Sequence, residues 1–357
     1  MTKSIYEETI GELPDGRPIE AYTLENEQGL RATFLNYGGI LVELEVPDSI
    51  GMPDDVTLGL DSIEDYTENN PPYFGAIVGR FAGRIARGRC PLEGKTLELP
   101  LNEEFSHLHG GPEGFSHQLF KGKVKSTKDG QVLILEYTSP NGEMGYPGRL
   151  KVSVKISLTP ENGLRYEFTA TTSDTTLINL TMHPYFNLAG QESGSIRQHI
   201  VQINADHYLP IHPDTRTPTG VLEAVADGPF DFREPESLDH RVDSPNAQVD
   251  LVQGFDHCFV LRADRDLSEP VATVIDEGSG RKMEVFTSEP GLQFYTGNSL
   301  DGTLAGKNGF FYPKHAGFCM ETQHFPDSPN FPDFPTTVLK KGETYTSFTE
   351  YRFSTVP

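Results

Sequence analysis

The sequence predicts an all-β protein, built as a large antiparallel β-sandwich, on three observations: side-chain polarity repeats every two residues, turn dipeptides punctuate the chain, and no helical pattern recurs between strands. The pattern is clearest at 149–158, RLKVSVKISL. There Leu150, Val152, Val154, Ile156 and Leu158 point one way, and Arg149, Lys151, Ser153, Lys155 and Ser157 point the other. TPENG at 159–163 reads as a turn, and 164–172 alternates again, so these segments form a hairpin. Further strands are read at 30–36, 131–138, 176–183, 282–287, 292–296 and 345–353. Asp15-Gly16, Asp129-Gly130, Asn141-Gly142, Asp301-Gly302 and Asn308-Gly309 supply turn signals between elements. With 35 Gly and 27 Pro spread evenly, a parallel βαβ sheet is disfavoured. Residues 212–250, rich in proline and acid, lack alternation; Phe230 and Phe232 favour a loop packed on the sandwich face over an interdomain linker.

Charge and cysteine content narrow the function classes. Across 357 residues, 29 Lys plus Arg face 52 Asp plus Glu, a net charge of −23. Most of the surface therefore repels nucleic acid and anionic membranes, so neutral molecules, or anions held at a local basic spot, are the expected partners. The first twenty residues contain no apolar core of the kind a signal peptide needs, no later run approaches the roughly 18 apolar residues of a membrane span, and the reading is of a soluble cytoplasmic protein. Cys90, Cys258 and Cys319 are odd in number and widely spaced, which suits reduced thiols.

Several segments concentrate chemistry. GRFAGRIARGRC places Arg80, Arg84, Arg87 and Arg89 within ten residues; a guanidinium forks across vicinal hydroxyls or clamps phosphate, although scattered surface pairing with acid is the better explanation for any single one taken alone. His107 and His109 share a face if their segment is extended, but neither H-E-x-x-H nor a third ligand accompanies them, and no metal is expected. Asp256, between Phe255 and His257, and Glu321, after Phe318-Cys319-Met320, insert carboxylates into apolar strands. Each needs an ionic partner or a task. Gln293 and Asn298 lie among aromatics, a composition suited to holding hydroxyls and stacking on a sugar ring.

Taken in order, NYGG at 36–39, GRFAGRIARG at 79–88, LHGG at 108–111, TMHPYFNLAG at 181–190, GFDHCF at 254–259, PGLQFYTGN at 290–298 and METQHFPDSPN at 320–330 resemble the aldose 1-epimerases, the mutarotases. The resemblance spans most of the chain. It implies a galactose-mutarotase-type supersandwich, one domain over 1–357, an open sugar cleft and no required cofactor. It further implies His183 as general acid and Glu321 as general base, with Arg84, His109, Asp256 and Gln293 binding the sugar. The implied partners are small aldose sugars, with no nucleic acid and no membrane, the chain acting as a monomer or weak homodimer. Gly83 stands where many relatives carry asparagine, and Pro184 where serine or threonine is common; the proline biases His183 towards an extended backbone.

The implied reaction asks for these residue types. Interconverting anomers requires removing the C1 hydroxyl proton while protonating the ring oxygen, so a carboxylate and an imidazolium on opposite sides of the hemiacetal perform both transfers. Asp256 is expected to favour the His183 cation, and arginine and histidine neighbours to keep Glu321 ionised. A glycoside hydrolase using Asp256 and Glu321 would need no proton-donating His183. A hexose-6-phosphate epimerase stays open through the arginine cluster, and a non-catalytic sugar-binding module is disfavoured because both proton-transfer residues are present. The preferred sugar among galactose, glucose, xylose and arabinose is not legible.

Overall fold

Alternating polarity at 149–158 produces the strand Leu150–Leu158, whose five apolar residues are buried while the intervening ones face outward. It pairs antiparallel with Gly163–Thr172, Leu158 opposite Leu164, as the hairpin reading required. The computed structural model describes residues 1–68, 70, 72–128 and 130–356, so Asp129 of one expected turn lies outside the described residues. At the other turn dipeptides, glycines such as Gly142 (φ +89°) and Gly309 (φ +69°) take the left-handed conformation that a side chain disfavours.

The hairpin belongs to a nine-stranded sheet, in the order Lys121–Thr127, Gly130–Ser139, Leu150–Leu158, Gly163–Thr172, Thr344–Thr355, Arg281–Thr287, Ala272–Ile275, Ile200–Ile203 and Glu236–Ser237. A five-stranded meander, Thr2–Glu12 to Pro53–Asp55, forms a second sheet. A third contains Glu223–Ala224, Ala205–Leu209, Asp256–Leu261, Gly291–Tyr295 and Cys319–Gln323. Every ladder between named strands is antiparallel among the described residues. One apolar cluster joins the sheets: Phe34 and Leu44 from the meander, Val154 and Phe168 from the large sheet, and Phe259, Phe294 and Met320 from the third. Burial of this shared core holds the sheets face to face.

The strand read at 176–183 differs. It is two short pieces, Thr176–Leu177 paired with Val338–Leu339, and Thr181–Met182 paired with Ile77–Val78. Between them the backbone changes partners: the Ile178 amide donates to the Thr337 carbonyl and the Asn179 amide to that of Arg80. The whole segment is buried, so its apolar residues record burial on all sides instead of one sheet face. Asn179 itself is fully buried and donates to the Ala82 and His324 carbonyls.

The excursion at 212–250 packs against the body. Phe230 stacks on Tyr208, ring centroids 3.8 Å apart, and Phe232 is buried beneath Arg241, whose guanidinium lies 5.6 Å from the ring. All three cysteines are free and buried. No helix among the described residues is long and apolar enough to cross a membrane.

Candidate active site

The third sheet turns one face to the core and the other to a cleft of about 730 Å³. Side chains alternate across a strand, and residues directly opposite on neighbouring strands share a face. Glu321 pairs with Gln293, Gln293 with Cys258, and Tyr295 with Asp256. Asp256, Gln293 and Glu321 therefore reach the cleft together, while Phe259, Phe294 and Met320 go to the core.

The opposite wall comes from the arginine and histidine segments. Arg84 opens the short strand Arg84–Ala86, which pairs with Ser106–Leu108. At His109 the chain bends into a left-handed conformation, φ +51°, directly after Leu108. This bend separates the two histidines. His107 is buried against Tyr146 Oη and the Pro100 carbonyl, both 2.6 Å away, whereas His109 lines the cleft. The shared-face expectation fails because the strand has ended.

His183 follows Thr181–Met182. Its amide donates to the Ala76 carbonyl and its carbonyl accepts from Gly75, so the neighbouring ladder extends one residue past the strand. Pro184 comes just beyond these bonds, and the imidazole is stacked on Tyr185 with centroids 5.1 Å apart. His183 Nε2 lies 3.3 Å from Glu321 Oε1, both side chains being almost fully buried. The other Glu321 oxygen, Oε2, is buried with no hydrogen-bond partner among the described residues. The two groups thus sit side by side, not on opposite sides of a substrate. That suits a hemiacetal, whose exocyclic and ring oxygens are both bonded to C1.

Burial sets the protonation of the pair, against the sequence expectation. It pushes the His183 imidazole down to about 4; Asp256 opposes this as expected, and Arg84 adds to it. It also pushes the Glu321 carboxyl well above its ordinary range, with Asp256 reinforcing and Arg84 opposing the shift. Both shifts favour the uncharged form of the pair, in which the two groups hold one proton between them, and residue type alone could not show this.

Of the four clustered arginines, Arg84 alone lines the cleft. Its Nε and one terminal nitrogen fork onto Glu103 at 2.7 and 2.9 Å, and the other terminal nitrogen lies 3.4 Å from Asp256 Oδ2. Burial would lower its pKa, but Asp256 and Glu103 together outweigh that and raise it. Asp256 Oδ1 accepts from Gln293 Nε2 at 2.7 Å. Arg80 is buried among carbonyls, while Arg87 and Arg89 are exposed and face Asp214 and Glu98. The cluster is thus dispersed and offers no phosphate clamp.

His109, His183 and Glu321 bring potential metal-ligating atoms within 4.8 Å of one another. The His109 tautomer works against a metal: Nδ1 accepts the Gly83 amide proton at 3.2 Å, which leaves the proton on Nε2 in the neutral ring. Burial, His183 and Arg84 hold His109 well below its usual pKa. A neutral imidazole with a fixed N–H donor suits a hydroxyl oxygen.

Sequence reasoning missed Tyr73, Glu103 and Gln323, all lining the cleft. Gln323, two residues beyond Glu321 on the same strand face, could have been found from alternation; Glu103 in an acidic run and Tyr73 in a proline-rich loop carried no signal. Asn298 also lines the cleft, with its side chain donating to the Phe255 carbonyl and accepting from Thr296.

Asp327 ties a loop to the arginine strand: its amide donates to the Arg84 carbonyl, and its Oδ1 accepts from Ala86 at 3.1 Å. Burial pushes its carboxyl up to about 6 despite hydrogen bonds from Asn330 and Ala86. A carboxyl raised on folding contributes stability that is present below about pH 4 and lost as pH climbs through about 6. Asp327→Asn, which keeps the acceptor, is expected to be more stable than the parent at pH 7.5, on the order of 1–3 kcal/mol. Thermal melts from pH 4 to 8 check this; a gap that fails to close on acidification contradicts it.

A carboxyl and an imidazole paired in a cleft of mixed polar and aromatic lining, carried by an antiparallel sandwich, are suited to acid/base chemistry on a neutral, hydroxyl-rich substrate. A family model described as aldose 1-epimerase matches residues 20–352. Galactose mutarotases of Rattus norvegicus and Homo sapiens are 44% and 43% identical over 353 residues, covering 98% of this chain and 99% of theirs. The aldose 1-epimerase of Escherichia coli K12 is 36% identical over 348 residues, 97% of this chain and 98% of that one. The galactose 1-epimerase structure from Lactobacillus acidophilus aligns with a TM-score of 0.88 at 27% identity, covering 100% of both chains. An aldose epimerase homologue from C. elegans gives 0.84 at 29%, covering 93% of this chain and 98% of that one. The chain belongs to the aldose 1-epimerase family, isomerases that interconvert the anomers of hexoses in carbohydrate metabolism.

Proposed function

We propose that His183 is the general acid and Glu321 the general base of this epimerisation, with Arg84, His109, Asp256 and Gln293 holding galactose or glucose. The observation that carries the reading is the 3.3 Å contact between His183 Nε2 and Glu321 Oε1, with Glu321 Oε2 unpartnered among the described residues beside Arg84, His109, Asp256 and Gln293. In the ionised form, the Glu321 carboxylate removes the O1 proton as the C1–O5 bond breaks and His183 gives its proton to O5. A carbonyl forms at C1 and the pair is left uncharged. Rotation about C1–C2 presents the other carbonyl face; O5 attacks it, His183 recovers its proton and Glu321 returns one to O1. Burial favours the uncharged pair, the form that accompanies the open-chain aldehyde, and so offsets part of the cost of opening the ring.

The same proton count fixes the pH dependence. The pair works with one proton, and a second is added only near 4, the depressed His183 value. The polarimetric kcat/KM is expected to hold from about pH 7 down to about pH 5 and to fall below about pH 4. An acid limb at an ordinary histidine value, near 6.5, would overturn the assignment.

The chain is further proposed to act as one domain in the cytoplasm, as a monomer or weak homodimer. The apolar cluster shared by all three larger sheets supports a single domain.

A further inference from the structure

Gln323 is completely buried, yet neither its amide oxygen nor its amide nitrogen has a hydrogen-bond partner among the described residues. It borders the cleft at the end of Cys319–Gln323, on the face that carries Glu321. Burying a whole carboxamide unpaired is costly, and groups left so are usually completed by a ligand or water. Gly83 packs closely against it: a Cβ there would lie 3.3 Å from Gln323 Nε2 and 3.1 Å from the Pro326 ring, tighter than an ordinary contact. Any side chain at 83 would crowd this amide. Gly83 is also left-handed, φ +73°, with its amide and carbonyl both engaged by His109, so the close approach of this backbone to the Gln323 amide is built into the wall.

We propose that Gln323 is a substrate-binding, specificity-determining residue whose carboxamide holds one of the sugar's ring hydroxyls, donating through Nε2 and accepting through Oε1. Two residues along an extended strand is roughly 7 Å, so Gln323 meets the substrate away from the C1 end held by Glu321. The hydroxyl it reads is therefore one not taking part in ring opening. The inference rests on the acid/base reading of Glu321 and His183, which fixes where C1 lies.

The test is a panel of galactose and its 2-, 3-, 4- and 6-deoxy analogues, with kcat/KM measured by polarimetry for the parent chain and Gln323→Met. The parent should disfavour one deoxy sugar by about tenfold or more. Gln323→Met should lose that discrimination and keep the others, with turnover of the insensitive analogue serving as evidence of folding. Gln323→Glu, which retains length and an acceptor, takes the same panel if the methionine variant does not fold. A uniform loss across all five sugars, or no change on any, overturns the inference and leaves the acid/base reading standing. A parent chain that accelerates none of them removes both.

Discussion

Glu321→Gln and His183→Asn each lower kcat for mutarotation of α-galactose by about 10²- to 10⁴-fold, the range a positioned acid or base contributes. The amides retain hydrogen-bonding capacity and much of the volume but can neither take the O1 proton nor give one to O5. Because the two groups share one proton, their effects overlap. The double variant should fall little below the worse single variant, whereas independent contributions would multiply. Polarimetry of freshly dissolved sugar measures the loss, and thermal melts show whether the fold persists. Turnover within about threefold of the parent in either single variant would remove that residue from the mechanism.

Arg80→Met loses about 3–5 kcal/mol of stability. The guanidinium is almost fully buried and donates to the carbonyls of Ser139, Pro140, Pro147 and Gly148 and to the Ser139 hydroxyl, at 2.6 to 3.1 Å. Burial draws its pKa down to about 10, with Glu143 resisting, so the cation persists at neutral pH. Methionine fills part of the space and satisfies none of the four carbonyls, each of which then costs about 1–3 kcal/mol unless water enters. Urea titrations read the change as a lower midpoint, and an unaltered midpoint would contradict it. An arginine from a segment that reads as ligand-binding thus acts as a brace.

That contrast shows where sequence stops being informative. Alternation exposed the hairpin at 150–172 because one face is buried and the other is wet, and polarity records the difference. At 176–183 both faces are buried and the backbone serves several neighbours in turn, so the pattern carried no break. In the cleft, residue types and order were legible, and His109, Asp256, Gln293 and Glu321 converge as expected. Local geometry was not. Nothing in LHGG announces that the strand ends at Leu108 and swings His109 away from His107. Nor does a histidine's identity reveal that burial will take its pKa from 6.5 to about 4.

The cleft is assembled from positions that are remote along the chain. Arg84 meets Asp256 across 172 residues, and the Cys319 thiol, 3.5 Å from His183 Nδ1, closes a span of 136. No contiguous fragment holds the acid, the base and the hydroxyl-binding groups together. The core spans the chain as widely, from Phe34 to Met320, so site and core depend on the same long-range closures. Mutarotation is consequently a stringent measure of complete folding, because turnover requires segments from Arg84 to Glu321 to be in place together.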